Sequence, residues 1–150
     1  MWDMSKNLGY AFYDDKYNRL VLLFEPTFAT YIDRLVQEKS ALFAGDRHFI
    51  GFYLDNELPF ASYQNADPLR GIDLKHFLSL PERYKAAREY AEKFMRDNGI
   101  ASTGVITKKN QEDFRGMVAD YYYQLTTATV RRYDKEHLIL GTRLHDWSKY

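Results

Sequence analysis

The stretch His48-Phe49-Ile50-Gly51-Phe52-Tyr53-Leu54-Asp55-Asn56-Glu57-Leu58-Pro59 decides the fold. Its first seven residues are almost wholly apolar, three polar side chains follow, and Pro59 stops the strand from simply continuing. A run without apolar/polar alternation reads as a strand buried on both faces, as in parallel sheets covered by helices. The polar group Asp55-Asn56-Glu57 then sits at its carboxyl end, where α/β folds gather their functional side chains.

Working outward, the chain before this strand predicts a helix. Glu25-Pro26-Thr27 starts it, with proline in the first turn where its missing N–H does no harm. Phe28, Ile32, Leu35, Val36, Leu42 and Phe43 share a face, and Ala44-Gly45-Asp46 ends the run. Further upstream, residues 1–24 form an irregular or hairpin lead-in. Gly9–Tyr13 and Leu20–Phe24 flank the charged, turn-like Asp14–Arg19, a pattern that suits a β-hairpin.

After Glu57, residues 60–71 have no sustained period and read as a long loop leaving the polar end of the strand. Asp73–Leu78 is expected as a short helix. Ser79 and Glu82 are spaced as a capping box for a longer one, in which Tyr84, Ala87, Ala91, Phe94 and Met95 repeat until Asn98-Gly99. Asn110 is the expected cap of a third long helix, with Glu112 and Asp113 in its first turn and Arg131-Arg132 near its end, both favourable to the helix dipole. Its apolar stripe is Phe114, Met117, Val118, Tyr121, Tyr122, Leu125 and Ala128. Asp134-Lys135-Glu136 then makes a tight turn into His137-Leu138-Ile139-Leu140-Gly141-Thr142-Arg143-Leu144-His145, a second apolar run ending in polar residues.

The order helix, strand, helical excursion, strand predicts an α/β protein with consecutive parallel strands. Two such strands leave unpaired edges and too little sheet for three long helices, so the 150 residues are expected to be one portion of a larger sheet.

Composition narrows the function. Lysine plus arginine equals aspartate plus glutamate at 21 each, so no basic excess favours nucleic acid as a partner. Cysteine is absent, which removes disulfides and thiolate metal sites, and the four histidines lie in no metal-binding pattern; neither a metal nor another cofactor is expected. No stretch approaches the roughly 18–20 apolar residues of a membrane span, so no membrane partner is expected. Met1–Lys6 lack the basic start and apolar core of a secretory signal. Aromatic residues make up 17% of the chain, with 13 Tyr, 10 Phe and 2 Trp. Their commonest use is burial, and flat sugar rings are the other surface they suit.

With both strand motifs placed, the chain resembles the retaining glycoside hydrolases of clan A, built on (β/α)8 barrels. Within that clan it is most similar to the agarase-like and β-galactosidase-like enzymes of glycoside hydrolase family 50. The resemblance is carried by Ile50–Pro59, similar to a Gly-Tyr-Phe-x-Asp-Asn-Glu strand, and by Tyr133–Arg143, similar to an Asp-Pro-Asn-His-Leu-Tyr-Leu-Gly-x-Arg strand. It implies a partial TIM barrel, about strands 4 to 5 with flanking helices, over residues 25–150 of a single catalytic domain fragment. It further implies that Glu57 is the general acid/base and Asn56 the amide that holds the sugar's 2-hydroxyl. The clan's nucleophile, a Glu on the seventh strand, has no counterpart here.

Retaining cleavage uses two carboxyl groups about 5–5.5 Å apart, one protonated and one ionised. Burial against Tyr53 or Phe60 and the partner's charge are expected to raise the pKa of Glu57. Arg143, which ends the second motif, and His145 and Trp147, which follow it, are candidate substrate contacts. The alternatives are pairing of Arg143 or His145 with Asp55 or Asp146 and packing of Trp147 on its own neighbours, while Asp55, His48 and His137 read as structural. The expected partner is an oligo- or polysaccharide. An extracellular or periplasmic parent enzyme is compatible with this, although the sequence leaves the compartment open. The competing expectation is a non-catalytic carbohydrate-binding or assembly element that self-associates through its open barrel edges.

Overall fold

The computed structural model of the chain describes residues 19–56 and 72–143. It is mostly helical with a small parallel sheet, an α/β arrangement. Helix α1 spans Pro26–Ala41, α2 Leu74–Leu78, α3 Lys85–Asp97 and α4 Lys108–Tyr133. Short 3-10 turns occupy Arg19–Phe24, Glu82–Tyr84 and Thr103–Val105. Strands β1 (Gly51–Phe52) and β2 (Asp55–Asn56) pair in parallel with β3 (Leu138–Ile139) and β4 (Thr142–Arg143) respectively.

One register runs through both pairs, with Gly51 opposite Leu138, Phe52 opposite Ile139, Asp55 opposite Thr142 and Asn56 opposite Arg143. Leu138 N–H donates to Ile50 O at 3.0 Å and Leu140 N–H to Phe52 O at 2.8 Å. The next bond comes from Leu54 N–H to Gly141 O at 2.7 Å. Gly141 has φ of 74°, and this left-handed step separates β3 from β4. Gly51 serves a different need. A Cβ there would lie 2.2 Å from the carbonyl oxygen of Leu138, so the two strands approach too closely for a side chain.

The core lies among the helices. Phe114, Val118 and Tyr122 of α4 are buried with Phe77 of α2, Ala87, Ala91 and Phe94 of α3, and Phe28 of α1. Phe114 is edge-on to both Phe77 and Phe94, at centroid distances of 5.2 and 5.3 Å, the geometry that aromatic quadrupoles favour. Helix α1 lies along α4 and is tied to its end by Asp33, which accepts from the Tyr133 hydroxyl at 3.0 Å and pairs with Arg132 at 2.9 Å. Gln111 of α4 accepts from Leu74 N–H at 2.7 Å, joining α4 to the start of α2.

The expected helices are present, but several local expectations are corrected. Leu20–Phe24 is no hairpin arm: it lies in the 3-10 turn, where adjacent Leu22 and Leu23 are both buried. Neighbours on a strand would face opposite sides. The other arm lies outside the described residues, as does the expected loop over 60–71. Ser79 and Glu82 form no capping box. Ser79 ends α2, its hydroxyl donating to His76 O at 2.8 Å, and Glu82 is taken by Arg88 at 2.7 Å.

Asn110 is not the N-cap of α4 but its third residue. Thr107 caps the helix, accepting from Asn110 N–H while Asn110 Oδ1 accepts from Thr107 N–H at 2.9 Å. In the buried stripe of α4, Ala128 is exposed and Tyr121 retains 38% exposure, whereas Thr126 and Thr129 are buried. Their hydroxyls donate to Tyr122 O and Leu125 O one turn back, which lets polar side chains occupy core positions.

The strand over 48–54 is not buried on both faces. Ile50 is 71% and Tyr53 57% exposed, and Leu138 and Leu140 across the pair are also open. Among the described residues each strand pairs with one neighbour only, so much of the apolar surface of the two strand pairs has nothing to pack against. Leu42, placed on the buried face of α1, is likewise exposed beyond the helix end.

Candidate functional site

The carboxyl ends of the two strand lines lie side by side because the register is parallel, and this brings the polar end of the first motif beside that of the second. Asn56 and Arg143, two of the sequence-predicted site residues, are direct cross-strand partners. The described part of Asn56 is its backbone. Arg143 is exposed, and its guanidinium carbon stands 6.0 Å from the centroid of the Tyr53 ring, within reach of a cation–π contact. Glu57, His145 and Trp147 lie outside the described residues.

Asp55 is turned towards the helical layer. The Tyr122 hydroxyl lies 3.3 Å from Asp55 Oδ2 and 3.3 Å from Leu54 O, so its single hydrogen is shared between carboxylate and carbonyl. Burial, and then the negative charge of Asp55, push the Tyr122 phenol well above its ordinary pKa of 10.0, and it stays a donor across the physiological range. The sequence places Tyr122 in the apolar stripe of α4 but does not reveal this bond. The signal was the phenol itself, since a buried tyrosine hydroxyl ordinarily finds a polar partner.

The opposite end of the strands is held by a separate polar group. Asp134 is buried at the end of α4, and its Oδ1 accepts from the backbone N–H of His137 at 2.9 Å and of Glu136 at 3.1 Å. Its Oδ2 lies 2.7 Å from His137 Nδ1, while His137 Nε2 lies 3.2 Å from Asp46 O in the turn after α1. Arg131 donates to the carbonyls of Asp134 and His137 at 3.1 and 2.7 Å. Burial alone would raise the Asp134 carboxyl, but the hydrogen bonds from His137 and Glu136 prevail and hold its pKa below the usual range. The bond to Asp134, followed by that to Asp46 O, raises His137. His137 thus fastens the starts of both strands, a structural part as its position in the sequence indicates.

Among the described residues, no group of three or more His, Cys, Asp or Glu side chains converges as a metal site. None of the described helices is long and apolar enough to cross a membrane. An open groove on the helical side is lined by Phe24, Tyr90 and Tyr121 with Glu89, Lys93 and Arg96, none of them a sequence-predicted site residue.

The chain superposes on the crystal structure of BpGH50, a glycoside hydrolase family 50 protein, with a TM-score of 0.70 at 25% sequence identity. The likeness supports a family 50-like fragment. It covers 96% of this chain but 31% of that one, so the chain spans about a third of the length of the protein it matches. No protein-family model matches the chain, and no curated protein matches it.

Proposed function

We propose that the chain is a central segment of a retaining glycoside hydrolase of clan A, about strands 4 to 5 of a (β/α)8 barrel, acting on β-galactosidic bonds of agarose-like or related polysaccharides. Glu57 is its general acid/base, protonating the leaving oxygen and then activating the water that releases the enzyme-bound sugar. Asn56 positions the 2-hydroxyl, and Arg143, His145 and Trp147 contact neighbouring sugar. The nucleophilic carboxylate comes from outside these 150 residues, so the isolated chain does not complete the double displacement. The observation that carries this reading is the likeness of nearly the whole chain to a stretch of a family 50 glycoside hydrolase. The parallel register of the two motifs is consistent with it.

The test is turnover of an aryl β-galactoside and of agaro-oligosaccharides by the full-length polypeptide that contains this chain. Glu57→Gln is expected to lower oligosaccharide cleavage by about 10²–10⁴-fold, the usual contribution of a positioned proton donor. Unchanged cleavage by Glu57→Gln would remove Glu57 from the chemistry, and Glu57-dependent turnover by the 150-residue chain alone would refute the missing-nucleophile reading.

The exposure of Ile50, Leu138 and Leu140 favours a second reading, a non-catalytic carbohydrate-binding or assembly element whose open strands pair between copies. A defined oligomer of the 150-residue chain in sedimentation, with no glycosidase activity in any longer product, would support it.

A further inference from the structure

We infer that Tyr122 is a positioning residue for the acid/base: from α4 it holds Leu54 and Asp55, the residues that lead in sequence into Asn56 and Glu57. The inference rests on the glycosidase reading above and adds to it a residue that touches no sugar. Its hydroxyl is anchored at two points of the same strand, Leu54 O and Asp55 Oδ2, both at 3.3 Å. Those points lie three and two positions before Glu57. The anchor itself is firm. Tyr122 is 2% exposed, sits between buried Val118 and Thr126 on α4, and has its backbone carbonyl held by the Thr126 hydroxyl at 2.7 Å. A phenol so placed holds Leu54 and Asp55 against α4. A proton donor displaced by about 1 Å loses much of its contribution, because proton transfer needs heavy atoms within about 2.6–3.2 Å.

The register supplies a second reason for an anchor at this place. On the far strand the left-handed Gly141 interrupts the ladder, and just before β2 the backbone bond runs from Leu54 N–H to Gly141 O. Tyr122 meets the strand at that same residue, through its carbonyl, and at the next, through its carboxylate. The hydroxyl therefore reinforces the pair where its backbone bonding departs from the regular pattern.

Leaving-group dependence separates positioning of the acid from a general loss of structure. An alkoxide leaving group needs protonation, whereas dinitrophenolate departs without it. In the full-length polypeptide, Tyr122→Phe is expected to lower kcat on an agaro-oligosaccharide about 10-fold or more while changing the first-turnover burst rate of dinitrophenolate release from a dinitrophenyl β-galactoside, which precedes the Glu57-assisted hydrolysis of the enzyme-bound sugar, less than about 2-fold. KM and the urea midpoint should move little. Glu57→Gln, measured alongside, should show the same split more strongly. If Glu57→Gln shows the split and Tyr122→Phe leaves both substrates unaffected, or slows both equally, the positioning role is overturned and the glycosidase reading stands. If Glu57→Gln shows no split, that reading fails and this inference with it.

Discussion

Replacing Gly51 by alanine tests the strand pair at its tightest point. The added Cβ would stand 2.2 Å from Leu138 O, 2.8 Å from Leu138 C and 2.9 Å from Leu138 Cβ. Two of these contacts are backbone, so no side-chain rotation relieves them. To reach ordinary contact the strands must part by about 1 Å or more. Bonds of 3.0 Å from Leu138 N–H and 2.8 Å from Leu140 N–H would then stretch beyond hydrogen-bonding distance, and the 2.7 Å bond from Leu54 N–H would weaken with them. At about 1 kcal/mol per bond, the loss approaches 3 kcal/mol. The lower unfolded-state entropy of alanine returns about 0.4–1 kcal/mol, leaving a destabilisation of about 2 kcal/mol.

Gly51 is not among the residues with positive φ, so backbone strain does not confuse the result. Gly116 provides the control. It is exposed within α4, a Cβ there meets nothing within 4 Å, and Gly116→Ala should stabilise the protein by about 0.5–1 kcal/mol. Urea unfolding monitored by circular dichroism measures both changes, and amide exchange at Leu54, Leu138 and Leu140 locates the first. A Gly51→Ala protein within 0.5 kcal/mol of the parent, with those amides still protected, would refute the close approach of the strands.

Three further outcomes follow from the described contacts. His137 has its pKa raised above 6.5, so its contribution is complete below about pH 6.5 and fades as pH rises through the folded value; Asp134 is lowered below 3.8, so its contribution is present above that pH and fades on acidification through its folded value. The destabilisation by His137→Ala should therefore be largest between about pH 4 and 6.5 in urea titrations, and a penalty independent of pH would refute the ionic tie. Phe114→Ala, which empties the space between Phe77 and Phe94, should cost about 3–5 kcal/mol by the same measurement. Thr107→Ala removes the hydroxyl that caps α4 and should cost about 1 kcal/mol, with faster amide exchange confined to the first turn around Asn110.

The parts of this fold written in periodicity were legible, and those set by local competition were not. Ala87, Ala91 and Phe94 share a helical face and are buried; Asn98-Gly99 ends the helix, with φ of 63° at Gly99. The parallel pairing of the two apolar runs also followed from their order. The starts of α3 and α4 differ from the expected ones because several polar residues compete for the same N–H groups, whereas α1 begins at Pro26 as expected. Thr107, three positions before Asn110, prevailed through a reciprocal bond, while Ser79 turned back to the helix behind it. The apolar run over 48–54 gave the strand but not its burial, since exposure depends on what lies beside the strand. Of the candidate site, the pairing of position 56 with Arg143 could be anticipated from two parallel motifs, whereas the Tyr122–Asp55 contact joins residues 67 apart on different elements.

The two ends of the strand pair divide stability from placement. At the amino-terminal end, Asp134 and His137 join α4 to the turn after α1 through bonds of 2.7–3.2 Å, several of them charge-assisted, and this tie fixes where both strands begin. At the carboxyl end, the corresponding link between α4 and the sheet is a shared phenol hydrogen at 3.3 Å beside an irregular ladder. Helix α4 contributes to both, through Tyr122 and, eleven residues further on, through the turn after Tyr133. Three helical turns of about 5.4 Å each separate these attachments, a span close to that of five residues of extended strand. A single rigid helix is thus matched in length to the strand it braces. Changes at His137 should alter how firmly the strands are seated, whereas changes at Tyr122 should alter where Leu54 and Asp55 lie while leaving the seat intact.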